Sequence, residues 1–234
     1  MDPSTTATPP VREESRWHAT FAVLAALVLY ITLPPRLTLG PTWLFPLLVL
    51  ALLIPLSIFG PRRHAETRRL RFWGILLIAI VNLFNIVSVG LLINGFFHPA
   101  RITELNSAAM LLRHGTQIWL TNIIVFGLWF WELDGDGPEA RAHASTAIEF
   151  RNADFLFPQM QMFFMSGKSL PCIEPNWKPQ FFDYLYLAFT NSTAFSPADV
   201  MPLSRWAKAL MTLEALISLM TIAIVLARSV SLIQ

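Results

Sequence analysis

Five uninterrupted apolar runs, near residues 17 to 33, 42 to 59, 72 to 95, 108 to 131 and 206 to 227, constrain this chain more than any other feature. Each approaches the ~20 residues that cross a bilayer as helix. Together they take up close to half of the 234 residues. A water-soluble domain of this length needs more polar surface than the remainder supplies: 54% of the residues are hydrophobic, 14% are charged, and the mean hydropathy is +0.52. The pattern predicts an all-α fold, a polytopic transmembrane bundle of five spans. A net charge of only +2 argues against a nucleic-acid partner, and the single Cys172 cannot staple a secreted scaffold.

Residues 1–16 are polar, with two prolines in tandem, and read as a disordered tail. The first apolar run ends in Pro34-Pro35-Arg36 with no small-x-small cleavage site, so it reads as an uncleaved anchor. Trp17, Trp43, Trp73 and Trp206 open spans, and Trp129 and Trp131 close one, as expected of indoles seeking the headgroup region. Four spans fill residues 17–131. A long connection, 132–180, follows; its FLFPQMQMFFM stretch at 155–165 is too short to span and reads as lying on the membrane surface or docking on the helices. Residues 181–234 form the C-terminal unit. No internal repeat supports an inverted-repeat transporter.

Orientation follows from the segment 60–71, where Arg62, Arg63, Arg68, Arg69 and Arg71 face one acid, Glu66. The positive-inside rule makes this segment and the N-terminus cytoplasmic. Counting onward brings residues 132–180 to the same side. Arg205 and Lys208 likewise favour a cytoplasmic start for the last span.

Polar side chains inside the spans are the candidate functional residues, because amides and charges in hydrocarbon must find partners. Span three carries Asn82 and Asn85, about 60° apart around a helix, with Ser88 and Asn94 beyond. On span four Arg113, His114, Gln117 and Thr121 fall within an arc of about 100°. Span five carries Glu214, Ser218, Thr221 and Arg228 on one stripe. Glu214, deep in the run, is expected to pack toward Arg113, His114, Gln117 or Asn82 rather than toward lipid. It would then act either as a structural lock or as a group that moves protons or cations.

Phe181–Phe195 is apolar and aromatic but only 15 residues long before Pro197 and Pro202, so it reads as a half-helix, re-entrant or steeply packed. Thr190, Asn191, Ser192 and Thr193 cluster at its end; Asp199 follows, and Ser204 is an N-cap for the last span. This layout resembles the pore loop and inner helix of tetrameric potassium channels. More closely, Asp183-Tyr-Leu-Tyr with Phe189-Thr190, Phe195 and Asp199 resembles the C-terminal signature of a family of bacterial integral membrane proteins of unassigned function. The specific likeness covers residues 181–228 and implies a location in the bacterial inner membrane, with no established activity. No glycine follows Gly167, which argues against a glycine-based potassium filter and leaves a side-chain-lined pore open.

The five histidines are scattered, and no metal-ligand spacing, nucleophile elbow or phosphate loop occurs. Asp134-Gly-Asp136-Gly reads as an ordinary turn rather than a calcium loop. The expectation is a non-enzymatic membrane protein without cofactor or metal, with the lipid bilayer as partner and a homo-oligomer left open. Its polar interior would carry ions or small solutes through Asn82, Asn85, Arg113, His114, Gln117, Thr121, Thr190, Asn191, Ser192, Thr193, Asp199, Glu214 and Ser218. The alternative is a non-conducting structural or partner-binding protein in which these residues are interhelical glue.

Overall fold

The computed structural model describes residues 16–59, 67–98, 107–143, 153–161, 177–194 and 199–233. It is almost wholly helical: α1 (Trp17–Ile31), α2 (Leu44–Phe59), α3 (Thr67–Phe97), α4 (Ala108–Leu133), α5 (Pro138–His143), α6 (Phe181–Ala194) and α7 (Arg205–Ile233). Two short strands, β1 (Phe155–Leu156) and β2 (Met201–Pro202), pair antiparallel. Of the helices, α3 and α7 are long and apolar enough to cross a membrane; α1 and α2 are apolar but shorter. The positive loop is shorter than expected, because α3 begins at Thr67 and takes in Arg68, Arg69 and Arg71. Arg62, Arg63 and Glu66 lie outside the described residues, as does nearly all of the N-terminal tail.

Helix α4 is the hub. Fifteen of its 26 residues are buried, and α1, α3, α6 and α7 all pack on it. A helix enclosed by protein can carry polar groups that a lipid-facing one cannot, which accounts for its histidine, glutamine and asparagine in a run of apolar residues. Contacts along α4 set the direction of its neighbours. Arg16, before α1, lies 4.0 Å from Glu139, whereas Thr32 at the far end bonds Gln117, so α1 runs antiparallel to α4. Arg71 near Asp136 and Asn85 on Asn122 make α3 antiparallel too. Ser218 beside Asn122 and Val225 beside Gly115 do the same for α7.

The half-helix expected at Phe181–Phe195 is present as α6, ending at Ala194, and Ser204 caps α7 by accepting the Ala207 N–H at 3.1 Å. Tyr184 at the start of α6 meets Asp134 at the end of α4, while Asn191 in its last turn reaches the middle of α7. The chain then comes back: β2 pairs with β1, and the Leu203 N–H donates to Asp154 O at 2.8 Å. The start of α6 and the β2 strand thus lie at the same end of the bundle. Of the apolar stretch at 155–165, Phe155, Phe157 and Met160 are buried, so its described part docks on the helices; residues 162–165 lie outside the described set.

Outward faces are apolar. Phe21 and Val28 on α1, Leu47 and Ile54 on α2, Leu83 on α3, and Leu216, Met220, Leu226 and Val230 on α7 are all exposed. Trp17, Trp43, Trp73 and Trp206 are exposed, whereas Trp131 is packed inside against Phe181.

Two glycines set how closely the helices approach. A Cβ on Gly115 would overlap Val225, and one on Gly127 would lie 3.1 Å from the Leu185 backbone. Val225 is β-branched and cannot swing aside cheaply. Gly115→Ala is expected to destabilise by about 1–3 kcal/mol, and the added Val225→Ala to recover part of that, measured by thermal unfolding in detergent. Absence of recovery would show that α4 and α7 do not meet there.

Candidate functional site

Glu214 is the tenth residue of α7, with no exposed surface, on a stripe with Ser218, Thr221 and Val225 that is buried throughout. Arg228, the last residue of the stripe, is only partly buried. Glu214 faces the interior as expected, but with other partners. Its Oε2 accepts the Asn191 Nδ2–H at 2.8 Å, and its Oε1 has no hydrogen-bond partner among the described residues. Asn191 Nδ2 also donates to Met211 O at 2.9 Å; because a backbone carbonyl only accepts, the orientation of this amide is set.

Next to it lies a ladder of amides. Asn85 Nδ2 donates to Asn122 Oδ1 at 3.3 Å, and Asn122 Nδ2 donates to Ser218 Oγ at 3.0 Å and to Glu214 O at 3.4 Å. This ties α3, α4 and α7 together at one level. Asn122 is fully buried and was not among the sequence candidates, because it sits beside Thr121, off the arc defined by Arg113, His114, Gln117 and Thr121. Its signal was an amide in an apolar run, the same as for Asn82 and Asn85.

The polar face of α4 divides. His114 Nδ1 lies 2.9 Å from Gln117 Oε1, which places the proton on Nδ1, and Gln117 Nε2 donates to Thr32 Oγ1 at 2.8 Å. Thr121 donates to the Gln117 carbonyl. These three residues are buried, whereas Arg113 is exposed and takes no part. Neither Arg113 nor His114 is the partner of Glu214. Among the described residues, half-buried Asn82 has Oδ1 unpartnered, and fully buried Ser88 has Oγ unpartnered.

The cluster ending α6 also divides. Asn191 and Ser192 are buried; Thr193 is exposed and Thr190 half-buried. The hydroxyls of Thr190, Ser192 and Thr193 donate back to carbonyls of their own helix, at Leu187, Phe189 and Thr190, so of the four only Asn191 reaches another helix. Asp199 is exposed, outside the bundle interior. Residues 195–198, where a channel-like strip would lie, are outside the described residues.

A second buried polar centre closes the bundle where α4 ends. Asp134, read from the sequence as part of an ordinary turn, is buried: its Oδ1 accepts the Asp154 and Phe155 N–H groups, at 2.6 and 3.3 Å, and its Oδ2 accepts the Tyr184 hydroxyl. Arg141 is buried as well; its NH1 donates to the carbonyls of Trp131 and Asp134, at 2.8 and 2.6 Å, and its guanidinium lies 5.0 Å from the Tyr184 ring centre. Positive φ at Gly135, Asp136 and Gly137 folds the turn back. Burial pushes the Asp134 carboxyl above its ordinary value, opposed by the Tyr184 hydrogen bond and by the Arg141 charge. Among the described residues no group of three or more His, Cys, Asp or Glu could hold a metal ion.

Comparison with protein-family models, with curated proteins and with solved structures yields no match to this chain.

Proposed function

We propose that the chain is a multi-pass inner-membrane protein, with α1, α2, α3, α4 and α7 crossing and α6 re-entrant, whose polar interior is a pathway for small cations. The observation that carries this is the placement of Glu214: a fully buried carboxylate at the last turn of a half-helix, with an amide as its only hydrogen-bond partner among the described residues. The C-terminal turn of a helix carries partial negative charge on its free carbonyls. A half-helix ending beside a carboxylate therefore favours positive charge in mid-bundle, the arrangement by which discontinuous helices hold cations in membranes. Such a residue is retained at a cost that a purely apolar helix would avoid.

A non-conducting structural protein is the second reading, favoured by the Asn85–Asn122–Ser218 ladder. Its bonds join three helices and serve as glue, each worth about 0.6 kcal/mol. Flux separates the two. Purified protein in liposomes is expected to speed the collapse of an imposed cation gradient over protein-free vesicles, and equal rates would leave the structural reading. In the same proposal the end bearing Arg69, Arg71, Arg141 and Lys178 is cytoplasmic. A phosphatase reporter inserted after Glu66 should be inactive, and activity would reverse the orientation.

A further inference from the structure

Resting on that reading, we infer that the cation is a proton, bound and released at Glu214 Oε1, rather than a dehydrated metal ion held there. The chemistry of the neighbours decides between them. Sodium or potassium stripped of water needs a cage of oxygen acceptors. The two side-chain amides that bond Glu214 present donors to it instead. Asn191 points its Nδ2 at Oε2, an orientation held by Met211 O. Asn122 points its Nδ2 at Ser218 and at the Glu214 carbonyl, and its own oxygen is taken by Asn85. Among the described residues, then, one carboxylate oxygen is satisfied by an N–H and the other, with no partner, is left to take a proton. A single site that binds one proton needs no cage.

The titratable groups on the surrounding helices are otherwise engaged. On α4, His114 is bonded to Gln117, and Glu132 is buried near the far end of the helix; on α6, Tyr184 is bonded to Asp134, and Asp183 accepts the Gln180 N–H. Arg113 on α4 and Lys208 on α7 are exposed, Arg228 is two-and-a-half turns or more beyond Ser218, and Arg69 and Arg71 lie at the start of α3. No salt bridge reaches Glu214 among the described residues, so gain or loss of a proton there is a change of charge without a counter-ion.

The test uses the full chain in phosphatidylcholine–phosphatidylglycerol vesicles that enclose a pH dye, with a potassium gradient and valinomycin driving protons inward. Wild-type protein should accelerate internal acidification, with the same rate when external sodium is replaced by choline. Glu214→Gln should lower the rate at least about tenfold, because the amide keeps the shape and removes the titration. Proton flux unchanged in a monodisperse Glu214→Gln protein would overturn the inference and leave the pathway standing. Flux of sodium or potassium without protons would do the same. No cation flux in wild type would overturn the pathway itself. Should Glu214→Gln not fold, wild-type protein decides with a hydrophobic carbodiimide, which adds to protonated carboxyls in apolar surroundings. The adduct is expected on Glu214, forming faster at acidic pH and slowing proton flux; modification elsewhere, or an adduct without effect on flux, would overturn the proposal.

Discussion

Arg141→Met is expected to lower stability by about 3–5 kcal/mol, more than any change on the outward faces of the helices, as measured by thermal unfolding in detergent. The cost comes less from a lost attraction than from what stays behind. Without the guanidinium, the carbonyls of Trp131 and Asp134 lose their donor, and the Asp134 carboxylate remains buried without the nearby positive charge. The deficit should shrink as the pH is lowered, because a protonated Asp134 no longer needs a counter-charge. The sign in the unmodified protein follows from burial raising this carboxyl above its ordinary 3.8. The folded chain then binds the proton more tightly than the unfolded one, so this contribution favours the folded state below the unfolded value and is lost as pH rises through the folded value. Asp134→Asn should flatten that dependence. A pH-independent loss in Arg141→Met would show that the guanidinium acts only through packing.

Tyr184→Ala should cost a similar amount, about 3–5 kcal/mol, for a different reason. The ring is fully buried and packs edge-on against Phe155 and Phe157, at 6.3 and 5.3 Å between centres, so its removal opens a cavity between α6 and the β1 segment. Tyr184→Phe keeps the ring and removes only the hydroxyl that donates to Asp134, and about 1–3 kcal/mol is expected. Arg141 and Tyr184 share Asp134 and touch each other, so the double change should cost less than the sum of the single ones. Strict additivity would mean that the two side chains do not belong to one centre. Because this centre fastens the start of α6, Tyr184→Ala should also loosen Asn191 from Glu214 and reduce any proton flux with Glu214 intact.

Much of the helical arrangement was legible in the residues. Pro197 and Pro202 forbid a continuous helix from Phe181 into the last span, and α6 ends at Ala194 while α7 begins at Arg205; Ser204 had the chemistry of a cap and serves as one. The stripe Glu214, Ser218, Thr221 and Val225 follows from helical spacing and is buried. Arg113 shares an arc with His114, Gln117 and Thr121, but its long side chain at the edge of that arc is exposed near the start of α4. The Asp134–Arg141–Tyr184 centre left only an unremarkable turn motif in the sequence, since its members are up to 50 residues apart and none has a distinctive spacing.

By itself the sequence determined which long segments are helical, where α6 must stop, and that Glu214 faces inward, because each follows from local rules: apolar period, proline's missing N–H, and the cost of an unpaired carboxylate in apolar surroundings. The tertiary structure alone decided which side chain meets which. Helical period tells which face a residue occupies, but its partner depends on the axial register between helices. That register is set by close contacts such as Gly115 on Val225 and Gly127 on Leu185. It brings Asn191 to Glu214 where the sequence pointed to Arg113, His114, Gln117 or Asn82, and it places β2 at the end where α6 begins.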